Sequence, residues 1–230
     1  MNGYTLKLIA IITMFIDHMT AILIPQDTTI YWIGRSIGRL AFPIFCFLLV
    51  EGFLHTHNVK KYLARLGVFA LISEIPFDLA FADKSVHYGY LMHQNIFFTL
   101  FIGLAVIYLM SMIERNFAGN IFLSNAFDSL AVIAGCILAA ILTTDYDYKG
   151  VLLIVVFYVF RGNKILLTLA VFLVNTLFGI WIQVLAALSM LCIWFYNGKR
   201  GPQDNKYIFY IFYPAHIFIL YLISLLPMFH

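Results

Sequence analysis

Charged residues are scarce in this sequence. They make up 11% of its 230 residues, whereas hydrophobic residues make up 63%. Soluble domains carry roughly 25% charged residues, and a soluble fold of this composition would have too few polar side chains to cover its surface. The composition therefore excludes a soluble globular protein and indicates a polytopic membrane protein. The 23 Phe and 14 Tyr suit lipid contact and anchoring at the membrane interface.

Motifs for several familiar kinds of site are also absent from the sequence. Cys46, Cys136 and Cys192 lie in apolar runs without metal-ligand spacing, so we expect inert thiols rather than disulfides or a metal site. There is no glycine-rich phosphate loop and no soluble nucleotide-binding domain, and we expect no nucleic-acid partner. No repeat, inverted half or second domain is evident. Residues 1–230 are therefore interpreted as one integral membrane domain.

Apolar segments recur along the whole chain, and each is judged against the roughly 20 residues that a helix needs to cross a bilayer. We predict an all-α, polytopic transmembrane helical bundle of about nine spans. The predicted spans are 5–25, 31–54, 62–82, 95–113, 127–144, 151–160, 165–179, 181–196 and 207–228. The first segment lacks a charged leader and a small-residue cleavage site, so we expect it to be retained rather than removed as a signal peptide.

Basic residues are unequally distributed among the predicted loops. With a cytoplasmic N-terminus, the cytoplasmic turns contain Lys60, Lys61, Arg65, Arg115, Arg161, Lys164, Lys199, Arg200 and Lys206. The opposite loops contain Lys84 and Lys149, together with Asp27, Asp83, Asp145 and Asp147. Because cytoplasmic loops are enriched in Lys and Arg, this distribution predicts a cytoplasmic N-terminus, an outward C-terminus and an odd number of spans.

Ionisable residues within the predicted spans are concentrated in the first third of the chain. They are Lys7, Asp17, His18, Arg35, Arg39, Glu51, Glu74 and Asp78. One such residue at the centre of a membrane helix costs roughly 2.5–3.5 kcal/mol on insertion scales. We therefore expect these side chains to face a polar interior or a wet cavity rather than lipid.

The first span contains the strongest candidate for proton transfer. Lys7 and His18 are about three helical turns apart and share nearly the same face, whereas Asp17 lies on the neighbouring flank. His18 is the side chain that could exchange protons near neutral pH. The alternative role for His18 is a hydrogen bond between helices. We expect Asp17 to bind another helix or to support the site rather than to orient the imidazole directly.

Two arginines in the second span are candidates for anion binding. Arg35 and Arg39 are one turn apart, and guanidinium groups can hold phosphate through two hydrogen bonds. The alternative is ion pairing with the acidic residues Glu51, Glu74 or Asp78.

Lys60, Lys61 and Arg65 follow at the predicted cytoplasmic mouth. They fit a docking patch for an anionic ligand, such as a nucleotide-bearing acyl donor. The alternative is that they only fix the topology.

The third span and four later residues could extend the polar site. We expect Pro76 to break the helix, because unwound backbone is tolerated in membranes where it lines a cavity. Glu74 and Asp78 are one turn apart around this proline and could face the same interior. Asn95, Asp147, Tyr148 and His216 are further candidates, and for Asn95 and His216 ordinary packing or interfacial roles are the alternative.

Four segments resemble the TraX family: MFIDHMT, IGRLAFPIFCFLLVEGFLHT, YLARLGVFALISEIPFDLAF and YIFYPAHIFIL. That family is named for a conjugative-pilus protein associated with N-terminal acetylation of pilin. More distantly, the chain is similar to the acyltransferase-3 membrane acyltransferases, in which Arg, ten intervening residues and His mark the first helix. Lys7 and His18 occupy those two positions. The FCFLLVEGF segment is similar to a phenylalanine-rich segment of that group, with Glu51 where Ser is common.

The resemblance implies a membrane acyltransferase of the bacterial plasma membrane that uses acyl-CoA, with acetyl-CoA as the expected donor. The implied catalytic residues are His18, as general base or transient acyl carrier, with Asp17 and Lys7. The implied acyl-CoA-binding residues are Arg35, Arg39, Lys60, Lys61 and Arg65. The implied supporting residues are Glu51, Glu74, Asp78, Asn95 and His216.

The acceptor remains open among a pilin-like peptide, a polysaccharide and a lipid. Two other functions also stay open. The chain could be a small transporter or flippase that uses the same polar stripe, or an accessory protein in which the charges only pair helices.

Overall fold

The computed structural model describes residues 1–81, 93–177, 181–202 and 206–227, and the fold in these ranges is α-helical. The first helices are α1 (Gly3–Leu23), α2 (Thr29–Gly38), α3 (Ala41–His55), α4 (Val59–Phe81), α5 (Ile96–Asn116) and α6 (Ile121–Ile141). They are followed by α7 (Asp147–Val159), α8 (Lys164–Thr176), α9 (Trp181–Val184), a 3₁₀ turn (Leu185–Leu188), α10 (Ser189–Trp194) and α11 (Lys206–Ser224). Asp83, Lys84 and the predicted span ends at 82, 178–179 and 228 lie outside the described residues.

Five helical segments in the described residues are long and apolar enough to cross a membrane. They are Gly3–Leu23, Thr29–His55, Ile96–Asn116, Ile121–Ile141 and Tyr207–Ser224. These segments support a membrane protein with an all-helical fold. The α8 helix and the Trp181–Trp194 segment are apolar but shorter. The count of nine spans and the cytoplasmic N-terminus stay predictions.

Two prolines affect the predicted second and third spans differently. Pro43 lies in the first turn of α3 and cannot donate to the carbonyl of Arg39, and the second span is divided there into α2 and α3. The prediction that Pro76 breaks its helix is wrong, because α4 runs from Val59 to Phe81 without interruption. Proline removes one backbone hydrogen bond, and packing of α4 against α5 and α11 holds the helix on both sides of it.

The helices pack as two neighbouring groups. Helices α5, α6 and α7 contact one another, α1 packs against α2, α3 and α11, and α4 lies against α5 and α11. The centre of the first group is mainly aliphatic, with Leu104, Ile107, Val151 and Ile154 fully buried. The second group contains most of the charged residues found within helices, so it is the part of the bundle that can form a polar site.

One end of the bundle brings together the N-terminus and several basic residues. The Gly3 amide donates to the Lys199 carbonyl oxygen at 2.8 Å, and Lys164 Nζ donates to the Trp194 carbonyl oxygen at 3.0 Å. These contacts place two of the predicted basic turns beside the start of α1. The grouping agrees with the charge distribution, while the side of the membrane to which this end belongs stays a prediction.

Candidate functional site

A cavity of about 660 Å³ extends along α1 between the start of that helix and His18. Lys7 and His18 are eleven positions apart, which corresponds to about 16 Å along a helix. Its lining contains acidic, basic and histidine side chains, which are Lys7, Asp17, His18, Arg35, Arg39, Glu51, His55, Asp78, His93, Asp145 and Arg200. The cavity therefore brings together most of the charged residues that the sequence places within the first spans.

Asp17 is the centre of an ion cluster at the inner part of this cavity. Its Oδ2 atom lies 2.8 Å from Arg35 Nη1 and 2.8 Å from Arg39 Nη2, and Arg39 Nη2 also contacts Oδ1 at 2.9 Å. As expected, Asp17 binds another helix. The two arginines were expected to hold phosphate or to pair with acidic residues of later helices, and their partner here is Asp17 instead.

A chain of amide groups extends the ion cluster towards α8. Arg39 Nη1 donates to Gln183 Oε1 at 3.3 Å, and Gln183 Nε2 donates to Asn175 Oδ1 at 3.0 Å. Asn175 Nδ2 in turn donates to the Val171 carbonyl oxygen at 2.8 Å. Gln183 is 3% exposed and Asn175 is fully buried, so each amide requires a hydrogen-bond partner within the protein. The orientation of Arg39 is therefore fixed from two sides.

His18 meets a second histidine across the interface between α1 and α11. His18 Nδ1 lies 2.7 Å from His216 Nε2, and His216 Nδ1 lies 2.6 Å from the carbonyl oxygen of Phe212. The rings of Tyr213 and Phe81 approach His18 edge-on, each with its centroid 5.8 Å from that of the imidazole. His216 was a candidate with packing as its alternative, and the structure places it in direct contact with the candidate base.

Glu74 and Asp78 have different surroundings, although they are one helical turn apart. The Glu74 carboxylate accepts from the side-chain amide of Asn95, which also donates to the Ala70 carbonyl oxygen at 2.8 Å. The Asn95 side chain also accepts from the Phe97 amide at the start of α5, so Asn95 joins α4 to α5. Of the two acidic residues, Asp78 lines the cavity. Glu74 and Asn95 therefore support the wall of the site.

The end of the cavity near the N-terminus is also polar. Lys7 Nζ lies 5.1 Å from the centroid of the Phe209 ring, and the Glu51 and Tyr196 side chains line this part of the cavity. Arg200 lines the same end. An ammonium group, a guanidinium group and a carboxylate therefore border the entrance that leads towards His18.

The predicted docking patch lies outside this cavity. Lys60 and Lys61 are exposed in the first turn of α4, and neither they nor Arg65 is part of the lining. The Arg65 guanidinium lies 5.3 Å from the centroid of the Tyr62 ring. Arg200, which sequence analysis assigned only to topology, is the basic residue that reaches the cavity near Lys7. Arg200 lies within the polar stretch NGKRGPQDNK, which is typical of a loop, so its position along the chain did not suggest a role in the site.

The connection between α6 and α7 contributes residues that sequence analysis missed. Asp145 and Tyr146 line the cavity, and Tyr146 stacks on Phe42 with ring centroids 3.8 Å apart. Burial raises the pKa of the Asp145 carboxyl above its usual value. Thr143 and Tyr146 have positive φ angles of 47° and 64°, a backbone conformation that often occurs at functional sites. The sequence suggested Asp147 and Tyr148 of the TTDYDYKG segment as additions to the site, whereas Asp145 was counted only as a loop charge, and it is Asp145 and Tyr146 that line the cavity.

Two comparisons with known proteins identify relatives over most of the chain. A family model described as "TraX protein" matches residues 2–224. The "Probable fimbrial assembly protein FimC, serogroup H1" of Dichelobacter nodosus is 31% identical over 231 residues, which cover 95% of this chain and 94% of that protein. The "Uncharacterized protein RP591" of Rickettsia prowazekii (strain Madrid E) is 31% identical over 103 residues, which cover 45% of this chain and 35% of that protein. No solved structure matches the chain.

Proposed function

This chain belongs to the TraX family, and on that basis we propose that it is a membrane-embedded acyltransferase. It transfers an acyl group, with acetyl as the first candidate, from cytoplasmic acyl-CoA to an exported or cell-surface acceptor in the bacterial plasma membrane. The observation that supports the proposal most is the cavity that joins a polar entrance to His18. The similarity to acyltransferase-3 enzymes remains part of the proposal.

The entrance to the cavity suits the donor. Lys7 and Arg200 offer positive charge to the phosphates of acyl-CoA. Beyond them, the walls include the aromatic rings of Phe45, Phe97 and Tyr210, which can pack against the flexible arm that bears the thioester. Donor binding at this end leaves the inner cavity for the reacting groups.

In the proposed reaction, His18 acts as general base. Its free ring nitrogen accepts a proton from a hydroxyl or amine of the acceptor, and the acceptor oxygen or nitrogen bonds to the thioester carbonyl carbon. The carbon–sulfur bond then breaks, and the departing thiolate takes the proton from the imidazolium to give free CoA. In the variant with a transient acyl carrier, the imidazole nitrogen attacks the thioester carbonyl carbon, and the carbon–sulfur bond breaks to release the CoA thiolate. The acceptor oxygen or nitrogen then bonds to the acyl carbon as the carbon–imidazole bond breaks, and the acceptor's proton goes to the thiolate to give free CoA.

The ion cluster has a supporting role in this proposal. Arg35 and Arg39 line the same cavity as His18 but are bound by Asp17, so they are less available for donor phosphates than the sequence suggested. The cluster holds α1 against α2 and fixes the helix that bears the base. For the acceptor, the name of the Dichelobacter relative favours an exported pilus-type polypeptide.

The first experiment measures binding of acetyl-CoA to the purified protein in lipid nanodiscs. We expect saturable binding, weakened about tenfold in Arg200→Ala, which corresponds to about 1.4 kcal/mol. Lys61→Ala is the matched control, because Lys61 is exposed and lies outside the cavity; its affinity should stay within about twofold. Absence of binding to a folded protein would contradict the proposal.

The second experiment measures turnover as free CoA thiol released when a membrane extract supplies the acceptor. His18→Ala should lower the rate by roughly 10²–10⁴-fold, the usual contribution of a general base. His57→Ala is the control, since His57 is exposed in the turn before α4. Equal rates for His18→Ala and the wild type would show that His18 takes no part in the reaction.

Transport is the second candidate function, because the cavity runs along much of α1 rather than forming a shallow cleft. A transporter or flippase would move its substrate across vesicle membranes without any acyl donor. Flux of that kind, together with no acetyl-CoA binding, would favour transport over acyl transfer.

A further inference from the structure

The hydrogen bonds of His216 define where its proton lies. A carbonyl oxygen only accepts hydrogen bonds, so the 2.6 Å contact with the Phe212 carbonyl requires the proton on His216 Nδ1. In a neutral imidazole the other nitrogen then has a lone pair and accepts. The 2.7 Å contact between His216 Nε2 and His18 Nδ1 therefore requires the proton of His18 on Nδ1.

The ring geometry agrees with this direction of the hydrogen bond. The two imidazole planes are 11° apart and their centroids are 5.0 Å apart, so the short nitrogen–nitrogen contact lies close to both ring planes, where N–H groups and lone pairs point. His216 is 4% exposed, and burying an imidazolium is costly without an anionic partner. The nearby carboxylate of Asp17 is already bound by two arginines, which favours a neutral pair.

His216 itself is held firmly. The Phe212 ring stacks on it with centroids 4.7 Å apart, and the Phe15 ring lies 6.1 Å away on α1. These contacts, with the bond to the Phe212 carbonyl, leave one orientation in which Nε2 faces His18.

We infer that His216 is a positioning residue that holds His18 in the tautomer with a proton on Nδ1 and a lone pair on Nε2. His18 Nε2 is then the nitrogen that can accept a proton from an acceptor in the cavity. The consequence for turnover rests on the proposed function, whereas the tautomer itself does not. Positioning of a base by a fixed partner is the role that a carboxylate has in hydrolase triads.

The direct test is solid-state NMR of the protein labelled with ¹⁵N-histidine in lipid bilayers, with the His18 signals assigned from their loss in His18→Asn. We expect a protonated, pyrrole-type Nδ1 and an unprotonated, pyridine-type Nε2. His216→Gln should preserve this tautomer, because the glutamine Oε1 can accept at the position of Nε2. His216→Asn should give a mixture of tautomers, because its shorter amide reaches Phe212 but not His18.

Tyr213→Phe is the control, since it keeps the ring that packs against His18 and should leave the tautomer unchanged. The inference is overturned if wild-type His18 is protonated on Nε2, or if His216→Asn, in a protein that remains folded, leaves the tautomer as in the wild type.

Turnover gives a second readout. His216→Asn should lower the rate of CoA release severalfold with little change in the KM for acetyl-CoA, because only part of the His18 population then has its lone pair on Nε2, and His216→Gln should recover much of that loss. An equal loss in both variants would contradict the positioning role. A wild-type protein with the expected tautomer but no CoA release would instead reject the proposed function and leave the tautomer assignment standing.

Discussion

The group of α5, α6 and α7 and the group formed by α1 with α2, α3 and α11 differ in the polar contacts that join their helices. The first is held by buried aliphatic residues such as Leu104, Ile107 and Ile154. The second is held by Asp17 with two arginines and by a pair of histidines. Aliphatic contacts lose energy gradually as atoms are removed, whereas removing one member of an ion cluster leaves buried charge without a partner. The comparison suggests that the apolar group is a scaffold and that the ionic group forms the site.

Asp17→Ala is expected to have the largest effect on stability. It leaves Arg35 and Arg39 without their carboxylate at side-chain exposures of 25% and 13%, so we expect a loss of about 3–5 kcal/mol, the usual range for breaking a buried pair. The measurement is reversible unfolding in mixed micelles. Asp27→Ala in the exposed loop after α1 is the control, with a change within about 0.5 kcal/mol. Similar small changes for both variants would mean that the ion cluster does not stabilise the bundle.

Substituting glycines in the two groups compares them directly. A Cβ at Gly38 would overlap the Asp17 carboxylate, which cannot move easily because two arginines bind it. A Cβ at Gly103 would overlap the end of the Ile154 side chain, which can rotate away. We expect Gly38→Ala to cost about 3 kcal/mol and Gly103→Ala about 1 kcal/mol, within the range for overpacking.

Thermal unfolding in detergent measures both glycine variants. Gly162→Ala is the control, because nothing lies within 4 Å of a Cβ at that position. Gly38→Ala should also lower CoA release, since it shifts α1, whereas Gly103→Ala should leave it nearly unchanged. A larger cost for Gly103→Ala would reverse the proposed division between site and scaffold.

Gln183→Leu is expected to have a small effect on stability, similar to that of Gly103→Ala. It removes the hydrogen bonds to Arg39 and Asn175, but Asp17 still binds Arg39, so the cost should be about 1 kcal/mol. Gln26→Leu in an exposed loop is the control, and unfolding in mixed micelles is again the measurement. A loss as large as that of Asp17→Ala would show that the amide chain, rather than Asp17, determines the orientation of Arg39.

Part of the candidate site could be predicted from the sequence because helix periodicity is local. The spacing of Lys7 and His18 placed both on one face of α1, and both line the same cavity. The pairing of His18 with His216 could not be predicted, because 198 residues separate them and neither spacing nor composition relates the two helices. Pro76 shows the same limit, since neighbouring helices keep α4 continuous where local chemistry suggests a break.

The sequence by itself determined that this is a helical membrane protein with its charged residues concentrated in the early helices, because both properties follow from composition and order along the chain. Only the tertiary structure decided that Asp17 binds Arg35 and Arg39, that Lys60 and Lys61 lie outside the cavity, and that Arg200 reaches it. The physical reason is that a buried charge requires an oppositely charged or hydrogen-bonding partner, but the sequence does not specify which residue that partner is. The packing of the helices makes that choice by bringing particular side chains within bonding distance.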